Sequence, residues 1–253
     1  MELNQRFKTL DSLRGNKLER SRYYSSLTLP SILPPDGWTE QDALAQPFSS
    51  TAARGVTSMA SRMLSALLPL NDMPFFKFEL TSGEEPELDI NSYLEALSYQ
   101  VFNKLSSANL REIIYQVLQH LIIVGDVLLI MDDDYHFRII RLDQYVCRRD
   151  VHGELEEIIY VEFQSLPNTP EDLVAQTSSL SHAEKRGYKK IYVSAVRKKD
   201  KWVTEKQDEE GKVLDKGEYK VLPFVALRWS GIPGENYGRS HIEDIIGDIK
   251  ALE

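Results

Sequence analysis

From Leu3 to Tyr24 apolar residues return at helical spacing, with Leu3, Phe7, Leu10 and Leu18 on or near one stripe. The pattern predicts an amphipathic helix over 3–24, weakened in its middle by Gly15. Its other face carries Arg6, Lys8, Arg14, Lys17, Arg20 and Arg22 and reads as a solvated face rather than a DNA contact. The segment YSSLTLPSILPPDG follows. Three prolines and a glycine forbid a helix there and favour an extended, rigid connector. Leu27, Leu29, Ile32 and Leu33 give that connector something to bury.

Residues 49–69 predict a second helix, with Val56, Met59, Met63 and Leu67 at helical spacing and Ala60 and Leu64 beside them. Small Ala and Ser residues fill much of the rest, and Pro69 is placed to end it. Phe75, Phe76 and Phe78 suggest a short strand. No Lys or Arg occurs between Lys77 and Lys104, and Glu79 to Glu95 is acidic. There a Gly-Glu-Glu-Pro turn precedes Ser92-x-x-Glu95, a capping box for a helix to about residue 106. Asn109-x-x-Glu112 repeats the signal. Ile113, Ile114, Val117, Leu118 and Leu121 suit a buried helix that Gly125 ends, and Val127 to Met131 reads as a buried strand.

From here the apolar period is two. Strands are expected at Phe137–Leu142 and Tyr145–Arg149, then a turn over Asp150–Gly153, then strands at Leu155–Phe163, Lys190–Arg197, Lys201–Glu205 and Leu222–Trp229. Residues 165–187 are polar and read as a loop with one helical turn near Glu171 to Gln176. Arg197 to Lys220 holds eight basic and seven acidic residues, a balanced, solvated hairpin. Helices first, strands second, then a new helix: the order is α+β, a helical N-terminal half packed with a mostly antiparallel sheet.

The new helix carries the sharpest local signal. Gly231 to Gly238 reads as a flexible joint. Ser240 is a good N-cap, and Glu243 completes a capping box. Ile242, Ile245, Ile246 and Ile249 form an i, i+3, i+4, i+7 stripe, while Glu243, Asp244, Asp248 and Lys250 occupy the rest. Lys250–Glu253 contains no stop signal. The helix therefore reads as cut short by the chain end, and the chain as the N-terminal piece of a larger, non-enzymatic protein.

Composition narrows the classes. The 253 residues are 42% hydrophobic and 27% charged, enough for one large domain or two small ones. A net charge of −9 argues against a general nucleic-acid coat, though not against a protein that nucleic acid slides past. Cys147 is the only cysteine, so no internal disulfide is possible and a reducing cytoplasm is the default. It reads as a packing residue. The N-terminus lacks a signal-peptide core, and Leu121–Met131, broken by Gly125-Asp126, is far short of the ~20 residues of a membrane span. The chain reads as soluble and non-secreted.

Candidate chemistry is thin. Asp132-Asp133-Asp134 could hold a divalent cation, but between two strands it reads better as a polar turn. The five histidines form no paired metal spacing. No P-loop, dinucleotide fingerprint or nucleophile elbow occurs. No catalytic, metal-binding or cofactor-binding residue is expected.

Four ordered blocks carry a family likeness. Residues 237–253, YGRSHIEDIIGDIKALE, resemble the segment leading into the stem helix of head-to-tail connector (portal) proteins of short-tailed phages. Residues 28–34 are similar to its Thr-x-Pro-Ser motif, here Thr28, Pro30 and Ser31. Residues 52–69 resemble its Ala-Arg-Gly helix closed by Leu-x-Pro, here Ala53, Arg54, Gly55 and Pro69. Residues 121–153 resemble its helix–Gly–strand and Arg-Asp-x-x-Gly hairpin, here Gly125, Arg149, Asp150 and Gly153. Tyr237, Gly238, Arg239 and Ser240 belong to the first-named block.

The resemblance implies a dodecameric ring at one capsid vertex, through which DNA is packaged by a separate terminase motor and later ejected. Residues 1–235 would be the wing and 236–253 the truncated start of the stem helix, with clip, second stem helix and crown absent. Gly238 and Ser240 would form the wing–stem joint, and Glu243, Asp244 and Asp248 would look towards the channel. Implied partners are copies of itself, terminase, scaffold, major capsid protein, tail proteins and double-stranded DNA bound without sequence preference, but no membrane. The implied location is the virion, with host cytoplasm during assembly. Two rivals stay open: a standalone head-completion or adaptor protein, and a metal-dependent hydrolase using Asp132, Asp133 and Asp134.

Overall fold

Apolar periodicity changes from helical to alternating near residue 125, and the architecture changes with it. The computed structural model describes residues 2–39, 42–69, 73–80, 88–132, 135–165, 188–222 and 224–252. Helices α1 (Leu3–Ser26), α2 (Thr51–Leu67), α3 (Leu88–Ser107) and α4 (Leu110–Ile123) come first. Strands β1 (Asp126–Met131), β2 (Phe137–Ile140), β3 (Tyr145–Arg149) and β4 (Leu155–Ser165) follow, with a 3-10 turn at Leu142–Gln144. Then come β5 (Tyr188–Lys198), β6 (Lys201–Asp208), β7 (Val213–Tyr219), β8 (Phe224–Arg228) and helix α5 (His241–Leu252). The fold is α+β.

The strands form two antiparallel sheets, ordered β2-β1-β8 and β3-β4-β5-β6-β7. Alternation along the larger sheet feeds two apolar layers. Val146, Ile159, Val161 and Tyr192 point one way and pack on Phe7 and Leu10 of α1. Phe7 meets Tyr192 edge-to-face with ring centres 5.6 Å apart. Cys147, Ile158, Tyr160, Ile191, Val193 and Ala195 point the other way, into a main core shared with α2, α4, the smaller sheet and α5. Each fully buried Ile or Leu there contributes about 1.5–3 kcal/mol.

Several expectations change. The basic face of α1 is not simply solvated. Arg14 is buried and donates to the carbonyls of Leu142 and Tyr145 and to the Asp11 carboxylate. Arg6 pairs with Glu157 at 2.6 Å, so the sheet supplies acceptors to a face that looks free in sequence. The 27–37 connector is a run of turns rather than extended chain, because Leu33 is buried and its N–H donates to Ser25 Oγ at 3.0 Å. In α2 the buried seam is Val56, Ala60 and Leu64, while Leu67 is exposed. The seam sits on the small residue because α4 approaches closely there.

Phe75, Phe76 and Phe78 form no strand. Among the described residues no strand pairs with them, and they contact one another edge-to-face, with Phe75 also reaching Phe102. Helix α3 begins at Leu88, placing Ser92 inside it rather than at its cap. Asn109 does cap α4, but through backbone at φ 54° and without a side-chain bond. Strand β2 stops at Ile140, and β7 was not anticipated because its Asp-Lys-Gly centre hides alternation. The charged hairpin is only partly solvated, since Gln207 and Asp208 are buried and Gln207 Oε1 accepts the Leu3 N–H at 2.8 Å. The expected turn at 83–86 and helical turn at 171–176 lie outside the described residues.

His120, in the last turn of α4, is buried and its Nδ1 has no hydrogen-bond partner. Burial, with Arg141 adding repulsion, lowers its pKa from 6.5 to about 4. The neutral ring therefore contributes stability that is complete above the unfolded value and is lost as pH falls from 6.5 towards 4. The full effect is roughly 3 kcal/mol. In urea titrations, wild type should lose about 2–3 kcal/mol relative to His120→Leu between pH 7 and pH 4. A difference independent of pH would refute this account.

Candidate functional site where the last helix joins the body

Gly125-Asp126 interrupts the apolar run 121–131, and that interruption organises the joint. Gly125 ends α4 at φ 86°, its N–H shared between the carbonyls of His120 and Leu121 at 3.2 and 3.0 Å. A Cβ there would lie 2.7 Å from backbone atoms of Arg239 and Ser240. Gly238 answers from the other side, where a Cβ would lie 2.6 Å from the Gly125 carbonyl oxygen. Only two glycines let these backbones meet. Trp229 N–H donates to Gly125 O at 2.9 Å, and Arg239 N–H to Ser230 O at 2.8 Å, folding the segment after β8 back on this corner.

Asp126 sits inside the fold-back with its side chain only 3% exposed. It accepts the Gly238 N–H on both oxygens, at 2.8 and 3.0 Å. Lys17 reaches in from α1, 3.4 Å from the same carboxylate. Its ammonium also donates to Val124 O at 2.7 Å and Gly238 O at 2.6 Å. Three donors meet three acceptors. Burial pushes the Asp126 carboxyl up to about 6, against the pull of Lys17 and the Gly238 N–H. It lowers Lys17 despite the attraction of Asp126. Desolvation outweighs attraction on both partners, which is what burying a charged pair costs.

A second ring of contacts surrounds this pair. Tyr237 hydroxyl accepts the Cys147 N–H at 3.0 Å. Burial raises the Cys147 thiol to about 12, so it is inert packing. Arg149 donates to Asn236 O at 3.1 Å, Gly153 O at 3.1 Å and Ala226 O at 3.0 Å, while its own N–H reaches Asn236 Oδ1 at 2.8 Å. Arg228 bridges Glu235 O and Gly153 O. Ser240 Oγ accepts the Glu243 N–H at 3.1 Å, the expected N-cap of α5. The Glu243 carboxylate turns to Arg20 at 3.1 Å and Arg239 at 3.7 Å, and Arg239 also holds Glu235 at 2.8 Å. These outer pairs each contribute about 0–1 kcal/mol. The segment expected to flex is tied at almost every residue from 235 to 240.

Gly125, Arg149, Gly153, Tyr237, Gly238, Arg239 and Ser240 thus converge on one site. Asp150 supports it indirectly, its Oδ1 accepting the N–H groups of His152 and Glu154 and so shaping the Gly153 turn. The other motif residues lie elsewhere. Thr28 is buried and donates to Tyr24 O at 2.8 Å, Pro30 is buried beside it, and Ser31 is exposed. Ala53, Arg54, Gly55 and Pro69 lie at the two ends of α2, away from the joint. Asp244 and Asp248 are exposed on α5, whereas the Glu243 side chain is 15% exposed and faces α1.

Asp126, Lys17, Asn236 and Arg228 were not singled out from sequence as site residues. The clue was the lone carboxylate inside an apolar run, which demands a buried cation. Asp132 caps its own turn, accepting the His136 N–H at 2.7 Å, while Asp133 and Asp134 lie outside the described residues. Among the described residues no cluster of three or more His, Cys, Asp or Glu could hold a metal, and no helix is long and apolar enough to cross a membrane.

A model of the family described as "Bacteriophage head to tail connecting protein" matches residues 1–253. The chain belongs to this family. It is 26% identical over 261 residues to the portal protein of Enterobacteria phage T3, covering 92% of this chain and 47% of that protein. Against the portal protein of Escherichia phage T7 it is 25% identical over 252 residues, covering 92% and 47%. Against that of Pseudomonas phage phiKMV it is 26% identical over 262 residues, covering 96% and 51%. The chain spans about half the length of the curated relatives it matches.

Asp126→Ala or Lys17→Met alone should destabilise by about 3–5 kcal/mol, because each leaves the other charge buried and unpaired. The double variant Lys17→Met/Asp126→Ala should cost clearly less than the sum. Denaturant unfolding of the four proteins measures this, and additive losses would show that the two groups do not interact.

Proposed function

We propose that this chain forms the wing and the first part of the stem of a phage portal subunit, with residues 1–235 as wing and 236–253 as stem start. Copies assemble into a ring, twelve by family resemblance, at one capsid vertex, and double-stranded DNA passes through its centre during packaging and ejection. The observation that carries this reading is similarity to phage portal proteins along more than nine-tenths of the chain. The geometry supports it by seating α5 on α4 and α1, as a channel-lining helix borne by an outer flange requires. The subunit works without catalysis, as a framework for the terminase motor, scaffold, major capsid protein and tail proteins. It belongs in the virion, after assembly in the host cytoplasm.

Gly238 and Ser240 are the wing–stem joint in this reading, the first by close approach and the second as the N-cap. Asp244 and Asp248 face the channel, because they lie on the exposed side of α5 while Ile242 and Ile249 are buried. Glu243 has another task, holding α1. A channel lined by carboxylates gives DNA phosphates no grip, so the duplex slides without sequence preference.

Electron microscopy of the full-length gene product should reveal hollow rings. Subunits that stay monomeric at micromolar concentration would overturn the reading. Wild-type rings should hold DNA weakly. Asp244→Lys/Asp248→Lys rings should bind it at least tenfold more tightly at low salt, with a steeper dependence of affinity on salt. Unchanged binding would remove these two residues from the channel wall.

A further inference from the structure

Strand β7 ends the larger sheet, and among the described residues no strand pairs with its outer edge. Two other edges are covered. The free side of β3 is bonded by Asn236 and Tyr237, and the Ala226 carbonyl of β8 is taken by Arg149. No residue of β7 is buried, and Val213, Leu214 and Tyr219 are 43%, 47% and 45% exposed. A free edge offers its backbone N–H and C=O groups to another strand. Charges on such an edge normally keep other strands away, but the pattern here admits one.

Lys216 pairs with Glu205 of β6 at 3.3 Å, and Glu218 pairs with Lys201 at 3.2 Å. Lys216 and Glu218 share one face of the sheet, so β6 holds two opposite charges side by side along the open edge. A strand that pairs antiparallel with its own copy has one residue directly opposite itself. If that residue is Asp215, Lys216 or Glu218, like charges meet there and destabilise the pair. If it is Gly217, Lys216 of each copy lies opposite Glu218 of the other. An alternating ladder then runs without a break from Glu205 and Lys216 to Glu218 and Lys201 of the second copy. One register is selected and its charged neighbours are rejected.

We infer that β7 pairs antiparallel with β7 of a second copy of this chain, about a twofold axis at Gly217, so that the two larger sheets become one. A twofold contact saturates at two copies and closes no ring, so the inference stands apart from the portal reading.

The test is native mass spectrometry and sedimentation of this chain across the micromolar range, as wild type and as the variants Lys216→Glu and Glu218→Lys. Both side chains are exposed, so each variant should keep wild-type circular dichroism and Tm. Wild type should dimerise. Each variant alone sets like charges opposite one another and should need at least about tenfold more protein to do so. Mixed one to one, the two variants should recover dimerisation as heterodimers, because each supplies the sign the other lacks. That recovery has to come from contact between copies, since within one chain each swap only sets like charges against Glu205 or Lys201. A monomeric wild type, variants that assemble as wild type does, or a mixture without heterodimers would each overturn the inference.

Discussion

One buried ammonium carries the greatest burden in this fold. Lys17 leaves α1 at mid-helix and ends among the Asp126 carboxylate, the Val124 carbonyl at the end of α4 and the Gly238 carbonyl before α5. Three stretches distant in sequence, around residues 17, 124–126 and 238, meet at a single nitrogen. Burying a lone charge costs several kcal/mol, so each acceptor that moves away leaves an unbalanced loss. The directions of α1, β1 and α5 are therefore set together. Hydrophobic packing alone would tolerate sliding of the Ile242–Ile249 stripe along its neighbours, whereas a three-coordinate ammonium does not.

The two glycines supply the space this arrangement needs. In sequence, Gly231 to Gly238 suggests flexibility, because glycine-rich segments usually bend. Here Gly238 serves close approach: its missing side chain admits the Gly125 carbonyl, and its N–H is spent on Asp126. Asn236 and Tyr237 then bind β3, and Arg228 and Arg149 fill the gap with guanidinium donors to backbone carbonyls. What looks like a hinge is a seam stitched to the sheet beneath it.

Much of the fold was legible because it depends on local period. The helices at α1, α2 and α4, the glycine stop at 125, the strands from β1 to β5 and the capped isoleucine helix α5 all follow from spacing and end signals. The site was legible only as isolated motif residues. Arg149, Gly153 and Tyr237 could be named, but not that Arg228 and Asn236 join them, because partners some 80 residues apart leave no periodic trace. The same limit misread α1. Its basic residues look like a solvated face until the sheet arrives with Glu157 and the carbonyls of Leu142 and Tyr145. Phe75 to Phe78 misled for the opposite reason: β-forming residues make a strand only where another edge is free to pair.

Charge follows the same logic. The buried cations of α1 are each matched by an acceptor in the body, and the outer Glu243 is matched by Arg20 and Arg239. The excess acid behind the net charge of −9 lies instead on exposed positions such as Asp244 and Asp248. Had Glu243 been exposed with them, α5 would carry three unbalanced carboxylates, two of them in its first turn, and lack this tie to α1. By taking Glu243 inward, the joint gains a contact with α1 and leaves an acidic outer stripe whose helix cannot roll without breaking it. In the proposed channel, an acidic stripe must keep its orientation while DNA moves past it. The inward turn of that one glutamate ties the orientation of the stripe to the body of the protein.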